Sequence, residues 1–198
     1  MFLDNKQDTI TLMDKSTLNI KTRNEFREWL ILNASQEEEC FLILKRGRPK
    51  DDGAFYYLDA VEEAICFGWI DSISKKVDGV TLQRFSPRKK NSPWSELNKE
   101  RAKRLIKLGL MTPVGRKMLP KMTFKMDNDV EEALKKARCY SKFKSFPALY
   151  QRVRAYNVSF YKKIDKKAYE KALNHLIDQT KKGIMFGEWN DYGRLLNY

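Results

Sequence analysis

The chain has few of the residues from which disulfide-stabilised and metal-stabilised proteins are built. It contains 3 cysteines in 198 residues, at positions 40, 66 and 139, and no Cys-x-x-Cys pair. An odd number of widely spaced cysteines is typical of reduced thiols in the cytosol. His175 is the only histidine, so a zinc site or a histidine-dependent triad would have to depend on that one side chain. We therefore expect no metal and no cofactor.

Long apolar segments are also missing. Apolar runs such as FLIL (41–44) and AICFGWI (64–70) fall far short of the roughly 20 residues that a membrane-spanning helix needs. The first residues, MFLDNKQD, mix charges of both signs and lack the basic and then apolar order of a secretory signal. The sequence therefore predicts no membrane insertion and a cytoplasmic location.

Acidic residues are scarce in one segment of the chain. The net charge is +13, and residues 81–126, with 13 basic and 2 acidic side chains, supply +11 of it. Such a concentration indicates either a negatively charged partner or ligand, or a solvated basic face. Composition alone does not decide between these two interpretations.

Hydrophobic periodicity predicts an α+β fold that is mostly helical, with a small antiparallel sheet in the N-terminal half. A buried strand near 39–45 and a hairpin over 69–85 form the sheet, and Asp78-Gly79 suits a two-residue turn in that hairpin. Thr22 has the spacing to Glu25 of a capping box and begins the first helix.

The C-terminal part is predicted to be helical throughout. We expect an α+β domain over residues 1–126 and a helical domain over 127–198 that packs on it. The tail is too aromatic for a disordered end, so Phe186 and Trp189 are expected to anchor it to the helices.

The stretch from Leu58 to Leu119 carries a resemblance to a known family. Its segments AVEEAICFGWIDS and QRFSPRKKNSPWSELNKERAKRLIKLGLMTP resemble the signature block of the YdeI/OmpD-associated, or bacteriocin-protection, family. The resemblance implies a role in tolerance of bacteriocins and cationic antimicrobial peptides, and a link to outer-membrane porins. It designates no catalytic residue.

The predicted hairpin places an acidic and a basic side chain, Asp71 and Arg84, on the same face. A two-residue turn sets Ile73 opposite Arg84 and Asp71 opposite Ser86, which makes Asp71 and Arg84 diagonal neighbours. This spacing predicts a bidentate ion pair. The pair either forms part of a site or fixes the hairpin to the next helix.

The helix that follows the basic loop is predicted to begin at Ser92, whose cap would lie beside Arg84 and Arg88 and create an anion site. Trp94 or Phe85 would offer such a ligand a stacking face.

The apolar side of the same helix carries Trp94, Asn98 and Arg101. The buried charge of Arg101 needs an ion-pair or hydrogen-bond partner in the interior. We expect that partner to be Asp71, Glu62 or carbonyl groups of the 84–92 loop.

These features favour a non-catalytic binding protein whose ligand is an anionic small molecule or an acidic protein surface. The predicted ligand-binding residues are Asp71, Arg84, Arg88, Ser92, Trp94, Asn98 and Arg101. One alternative is nucleic-acid binding through the basic segment. Another is an enzyme that uses Asp71 or Glu62 as a general base beside arginines.

Overall fold

A computed structural model describes residues 17–77 and 80–198. Over these residues the chain is α+β, with eight helices and a three-stranded antiparallel sheet in the N-terminal half, followed by a helical C-terminal part. The predicted fold class is confirmed. None of the described helices has the length and apolar character that crossing a bilayer requires. The Asp78-Gly79 turn lies outside the described residues.

The elements follow one another in the order αβαββ and then six helices. The strands are β1 (Cys40–Ile43), β2 (Trp69–Val77) and β3 (Val80–Pro87), and the sheet order is β1-β3-β2. The helices are α1 (Arg23–Asn33), α2 (Tyr57–Cys66), α3 (Glu96–Lys107), α4 (Pro113–Lys117), α5 (Asn128–Lys136), α6 (Tyr140–Lys144), α7 (Ala148–Lys162) and α8 (Lys166–Lys182). Thr22 caps α1, because its hydroxyl accepts the Glu25 amide at 3.2 Å.

The described residues form two compact units. The first contains those up to Ser92 together with Leu105–Leu119, and the second contains Pro93–Arg104 together with Pro120–Tyr198. Most of α3 therefore belongs with the C-terminal helices, although it precedes part of the first unit in the sequence. The predicted division into an α+β domain over 1–126 and a helical domain over 127–198 packed on it stays a prediction.

Aromatic side chains form the centre of the first unit. Phe26 of α1 is fully buried, and its ring centroid lies 5.9 Å from that of Phe55 and 5.6 Å from that of Phe85. Trp69, at the start of β2, meets Trp29 edge to face. Burial of each such ring contributes about 1.5–3 kcal/mol to the free energy of unfolding.

A buried group of charges joins α1 to α2. Glu62 and Glu63 are 0% and 1% exposed. Arg23 donates to Glu62 at 2.7 Å and to Glu63 at 2.6 Å, and Arg27 donates to the second oxygen of Glu63 at 2.6 Å. Each carboxylate thus has a guanidinium partner, as a buried charge requires.

The hairpin contains a β-bulge that the sequence pattern did not reveal. From Val77 back to Ser74 the pairing follows the predicted register. The register then shifts between Ser74 and Asp71, so that Asp71 lies opposite Phe85 and not opposite Ser86. A bulge adds residues to one strand and turns the following side chains to new neighbours.

Helices α5 to α8 surround the core of the second unit. Its fully or almost fully buried members are Val130, Leu134, Cys139, Phe143, Tyr150, Ala155, Val158 and Leu176. The tail packs on this core as predicted: the rings of Phe186 and Trp189 meet the Tyr150 ring edge to face, with centroids 6.2 and 5.6 Å away. Asp165 caps α8, and Gly183 ends it at a φ of 73°.

Helix α4 approaches the end of α2 more closely than any side chain allows. The Thr112 hydroxyl donates to the Cys66 carbonyl oxygen at 2.6 Å and accepts the Gly115 amide at 3.1 Å. A Cβ atom at Gly115 would lie 2.1 Å from that same carbonyl oxygen. A Cβ atom at this position would overlap the backbone of α2, so the position requires glycine.

We expect Gly115→Ala to lower the free energy of unfolding by about 3 kcal/mol, because the methyl group overlaps backbone that must shift. Without that overlap, the same change inside a helix raises stability by about 1 kcal/mol. Urea denaturation measures the difference. Val114→Ala, at a residue 59% exposed in the same helix, is the control and should change stability by less than about 0.5 kcal/mol. A Gly115→Ala protein as stable as the parent would contradict the close approach.

Candidate functional site

Two of the residues predicted to form one site, Asp71 and Arg84, take part in separate interactions. The Asp71 carboxylate accepts a hydrogen bond from the Tyr57 hydroxyl, whereas Arg84 pairs with Glu39. The predicted ion pair between Asp71 and Arg84 is wrong, because the bulge removes the register that would set Ile73 opposite Arg84.

The loop before α3 also differs from the prediction. Ser92 does not cap the helix, since its hydroxyl accepts the Lys89 amide at 3.1 Å and closes a turn within the loop. Ser95 is the cap, and it accepts the Asn98 amide at 3.1 Å. Arg88 is 4% exposed. The anion site predicted at Ser92 therefore lacks its helix N-terminus. The stacking face predicted for Phe85 is also wrong, because that ring is fully buried.

Arg101 points into the protein, as predicted. Its side chain is 11% exposed, and Nε and Nη2 donate to the two oxygens of Asp191 at 2.7 and 2.8 Å. Nη1 donates to Asn98 Oδ1 at 2.6 Å. The expectation that Asp71 or Glu62 would be the acid is wrong, because Glu62 is held by α1 and the tail supplies Asp191.

Asn98 also lines a cavity of about 520 Å³ within the second unit, which we call the Arg154 cavity. Its lining consists of Pro93, Ser95, Asn98, Arg154, Tyr156, Asn157, Val158, Phe160, Tyr161, Ala172, His175 and Phe186. Neither aspartate nor glutamate is among these residues. Apolar walls with a few polar groups, in a volume of about 300–1,000 Å³, are typical of small-molecule sites.

Arg154 is unusual because its buried charge forms no ion pair with an acid among the described residues, although the Glu188 carboxylate acts on it from a greater distance. The residue is 9% exposed. Nη2 donates to the Glu188 carbonyl oxygen at 3.2 Å, whereas Nε is buried and donates to no described residue. Within residues 17–77 and 80–198 no carboxylate forms an ion pair with it. Loss of contact with water lowers the pKa of Arg154, an effect that Tyr150 and Glu188 partly offset by raising it.

Aromatic rings and a glycine hold this guanidinium in place. Its central carbon lies 4.9 Å from the centroid of the Phe186 ring and 5.7 Å from that of the Tyr150 ring. A Cβ atom at Gly187, whose φ is 64°, would come within 2.9 Å of Arg154 Nη2. The rings attract the face of the cation but do not accept bonds from its N–H groups.

Two amides and an imidazole are among the polar groups of the lining. The Asn157 side chain makes no hydrogen bond to any described residue, and Asn98 uses only its oxygen, which accepts from Arg101. His175 packs on Phe186 with ring centroids 4.4 Å apart. The Asn98 amide nitrogen, the Asn157 amide and the His175 imidazole thus remain available to a ligand.

Asn98 was predicted from the sequence as a site residue, whereas Arg154 and Asn157 were not, and His175 was considered only for a zinc site or a triad. The signal for Arg154 was present, because the residue lies four positions after Tyr150 and four before Val158, both on the buried side of α7. No comparable signal marked Asn157 or His175.

A second groove in the same unit, of about 1170 Å³, contains Trp94. Its lysines lie beside acids: Lys99 pairs with Glu96 at 2.6 Å, and Lys162 pairs with Asp129. Because these charges compensate one another, an anion is attracted less strongly to this groove than to the Arg154 cavity.

Neither a cluster of metal ligands nor a reactive thiol occurs in the part of the chain that the structure describes. No three histidine, cysteine or carboxylate side chains are close enough there to hold an ion. Cys40, Cys66 and Cys139 are buried, and burial raises the pKa of the Cys66 thiol to about 12. That thiol stays protonated at neutral pH.

We expect Arg101→Ala to lower the free energy of unfolding by about 3–5 kcal/mol, because it leaves the Asp191 carboxylate buried and unpaired. A double-mutant cycle with Asp191→Asn, followed by urea denaturation, should show coupling, and asparagine tolerates the left-handed φ of 51° at that position. The matched cycle with Asp71→Asn should show none. Equal coupling in the two cycles would contradict the observed pairing.

Comparison with known proteins places the chain in a family. A family model described as a domain of unknown function (DUF8412) matches residues 18–118. No curated protein and no solved structure matches the chain. The matched residues include most of the first unit and the whole of α3, and they make up half of the sequence. The chain therefore belongs to the DUF8412 family.

Proposed function

We propose that this protein is a non-catalytic binding protein that takes a small anionic ligand into the Arg154 cavity. The proposal rests on one observation. The Arg154 side chain is nine-tenths buried and lines a cavity, and no described residue pairs a carboxylate with it or brings an acidic side chain to the cavity lining. A carboxylate or phosphate group on the ligand supplies the acceptor oxygens that the protein itself does not.

The energetics of a buried cation support this proposal. A buried donor without a partner destabilises a fold by about 1–3 kcal/mol, and by more when it is charged. Stacking on Phe186 and Tyr150 offsets about 1–2 kcal/mol of that. The destabilisation that stacking does not offset is removed when an anion binds. Binding is therefore favoured by stabilisation of the protein as well as by contacts to the ligand.

The two other functional classes have less support. For nucleic-acid binding, three basic side chains of the segment 81–126, those of Arg84, Lys99 and Arg101, pair with acids, and the Phe85 ring that could stack on a base is buried. The exposed basic residues of the segment are the remaining support for this class; they include Lys89, Lys90, Arg116, Lys117, Lys121 and Lys125. For an enzyme, the carboxylate of Asp71 accepts from Tyr57, and Glu62 is buried beside a guanidinium.

The biological role that we propose follows from the resemblance to the bacteriocin-protection family. In a cytoplasmic protein of that kind, ligand binding contributes to tolerance of bacteriocins or antimicrobial peptides. A cationic peptide is not itself the ligand, because the net charge of +13 repels it. An anionic small molecule is consistent with both the charge and the cavity.

We expect Arg154→Met to abolish anion binding without unfolding the protein. Inorganic phosphate and acetate, titrated at constant ionic strength, should produce saturable NMR shifts at the cavity residues of the parent and none in the variant. Because methionine removes an unpaired buried charge, the free variant should be as stable as the parent or more stable by about 1–4 kcal/mol.

Arg116→Met is the matched control, because Arg116 is exposed and lies outside the cavity lining. It should bind both anions like the parent. Loss of stability in Arg154→Met, together with anion shifts scattered over surface lysines, would show that Arg154 has a structural role only.

A further inference from the structure

One face of α7 runs along the Arg154 cavity. Arg154, Asn157, Val158 and Tyr161 all line it, and their spacing of three, four and seven residues places them on one side of a helix. At a rise of 1.5 Å per residue, the backbone positions of Arg154 and Tyr161 are about 10 Å apart along the axis. The cation thus lies near one end of a stripe about two helical turns long.

Tyr161 lies at the other end of this stripe, and Phe160 lies next to it on the helix. Phe160 and Tyr161 are 45% and 42% exposed although both line the cavity. Their ring centroids are 6.2 Å apart at an interplanar angle of 72°, and Tyr156 stacks on Phe160 at 27°. Exposed rings of this kind offer faces and edges on which a flat ring packs well.

The polar groups of the cavity restrict the chemistry of the ligand further. Asn157 offers an amide that has no partner in the described structure, and it lies between the cation and the exposed rings on α7. No acidic residue in the part of the chain that the structure describes lines the cavity. An ammonium group would therefore be buried beside Arg154 with no carboxylate to pair with, which is unfavourable.

We infer that the ligand of the Arg154 cavity is a flat ring compound with a single anionic group at the opposite end and no ammonium group. The inference deepens the proposed function and rests on it. Arg154 binds the anionic group, Phe160 and Tyr161 pack against the ring, and Asn157 bonds to polar atoms between them. Aromatic carboxylates and nucleoside monophosphates share this chemistry.

Three indole compounds separate the elements of the inference, because they differ only in their charged groups. Indole-3-propionate has the ring and the carboxylate, L-tryptophan adds an ammonium group, and tryptamine has the ammonium group alone. Calorimetric titration of the whole protein should show that indole-3-propionate binds at least tenfold more tightly than L-tryptophan, and that tryptamine does not bind.

Variants assign the binding to the named residues. Arg154→Met should weaken indole-3-propionate binding at least tenfold, and Arg154→Lys should recover part of the loss because it keeps the charge without the planar fork. Phe160→Ala should weaken binding about five- to tenfold. Exposed Phe160 tolerates this change, and Tyr192→Ala, at an exposed aromatic residue outside the lining, should leave affinity unchanged.

A parallel titration with adenosine monophosphate and adenosine distinguishes the two ligand sources. If the nucleotide binds more tightly than indole-3-propionate, the ligand is a nucleoside monophosphate. If indole-3-propionate binds more tightly, the ligand is an aromatic carboxylate. Adenosine, which lacks the anionic group, should bind at least tenfold more weakly than its monophosphate.

The inference and the proposed function fail in different ways. If acetate and phosphate bind through Arg154 but neither ring compound binds more tightly than they do, the ring requirement is overturned and anion binding stands. Equal affinity for L-tryptophan and indole-3-propionate overturns the exclusion of ammonium ligands. If neither the simple anions nor the ring compounds bind, both proposals are overturned.

Discussion

The ion pair between Arg101 and Asp191 fixes the arrangement of the second unit. It joins α3 to the tail across 90 positions of sequence, and it orients Asn98, whose oxygen accepts from the same guanidinium. The tail held in this way carries Phe186, on which the Arg154 guanidinium lies. One buried pair therefore positions two walls of the cavity. Arg101 is itself satisfied by a carboxylate, whereas the neighbouring Arg154 depends on ring faces and one carbonyl oxygen.

Local signals in the sequence were sufficient for much of the fold. Thr22, Thr112 and Asp165 cap their helices because a short polar side chain next to free amides needs no distant partner. The bulge between Asp71 and Ser74 was not predictable, since the strand keeps its length and composition while the register changes. Two serines precede α3, and the choice of Ser95 over Ser92 depends on the turn that Ser92 closes.

The candidate site was predictable only in part, because its residues come from distant parts of the chain. Periodicity showed that Arg101 faces inward, but it carried no information on which acid the fold would bring to it. The same reasoning applied to α7 places Arg154 on a buried side. Among the described residues Arg154 forms no ion pair because of how α3, α7, α8 and the tail pack together. The spacing of residues within one helix does not reveal such packing.

The interleaving of the two units in the sequence affects the order in which they are completed during synthesis. All residues of the first unit have been added once Leu119 is in the chain, whereas the second unit begins with Pro93–Arg104 and continues to Tyr198. The partner of Arg101 is added 90 residues after it, which at about 5–20 residues per second takes roughly 5–20 s. Throughout that interval Arg101 lacks the contact that buries it, so its guanidinium stays hydrated in the nascent chain. In the finished protein the same side chain is buried.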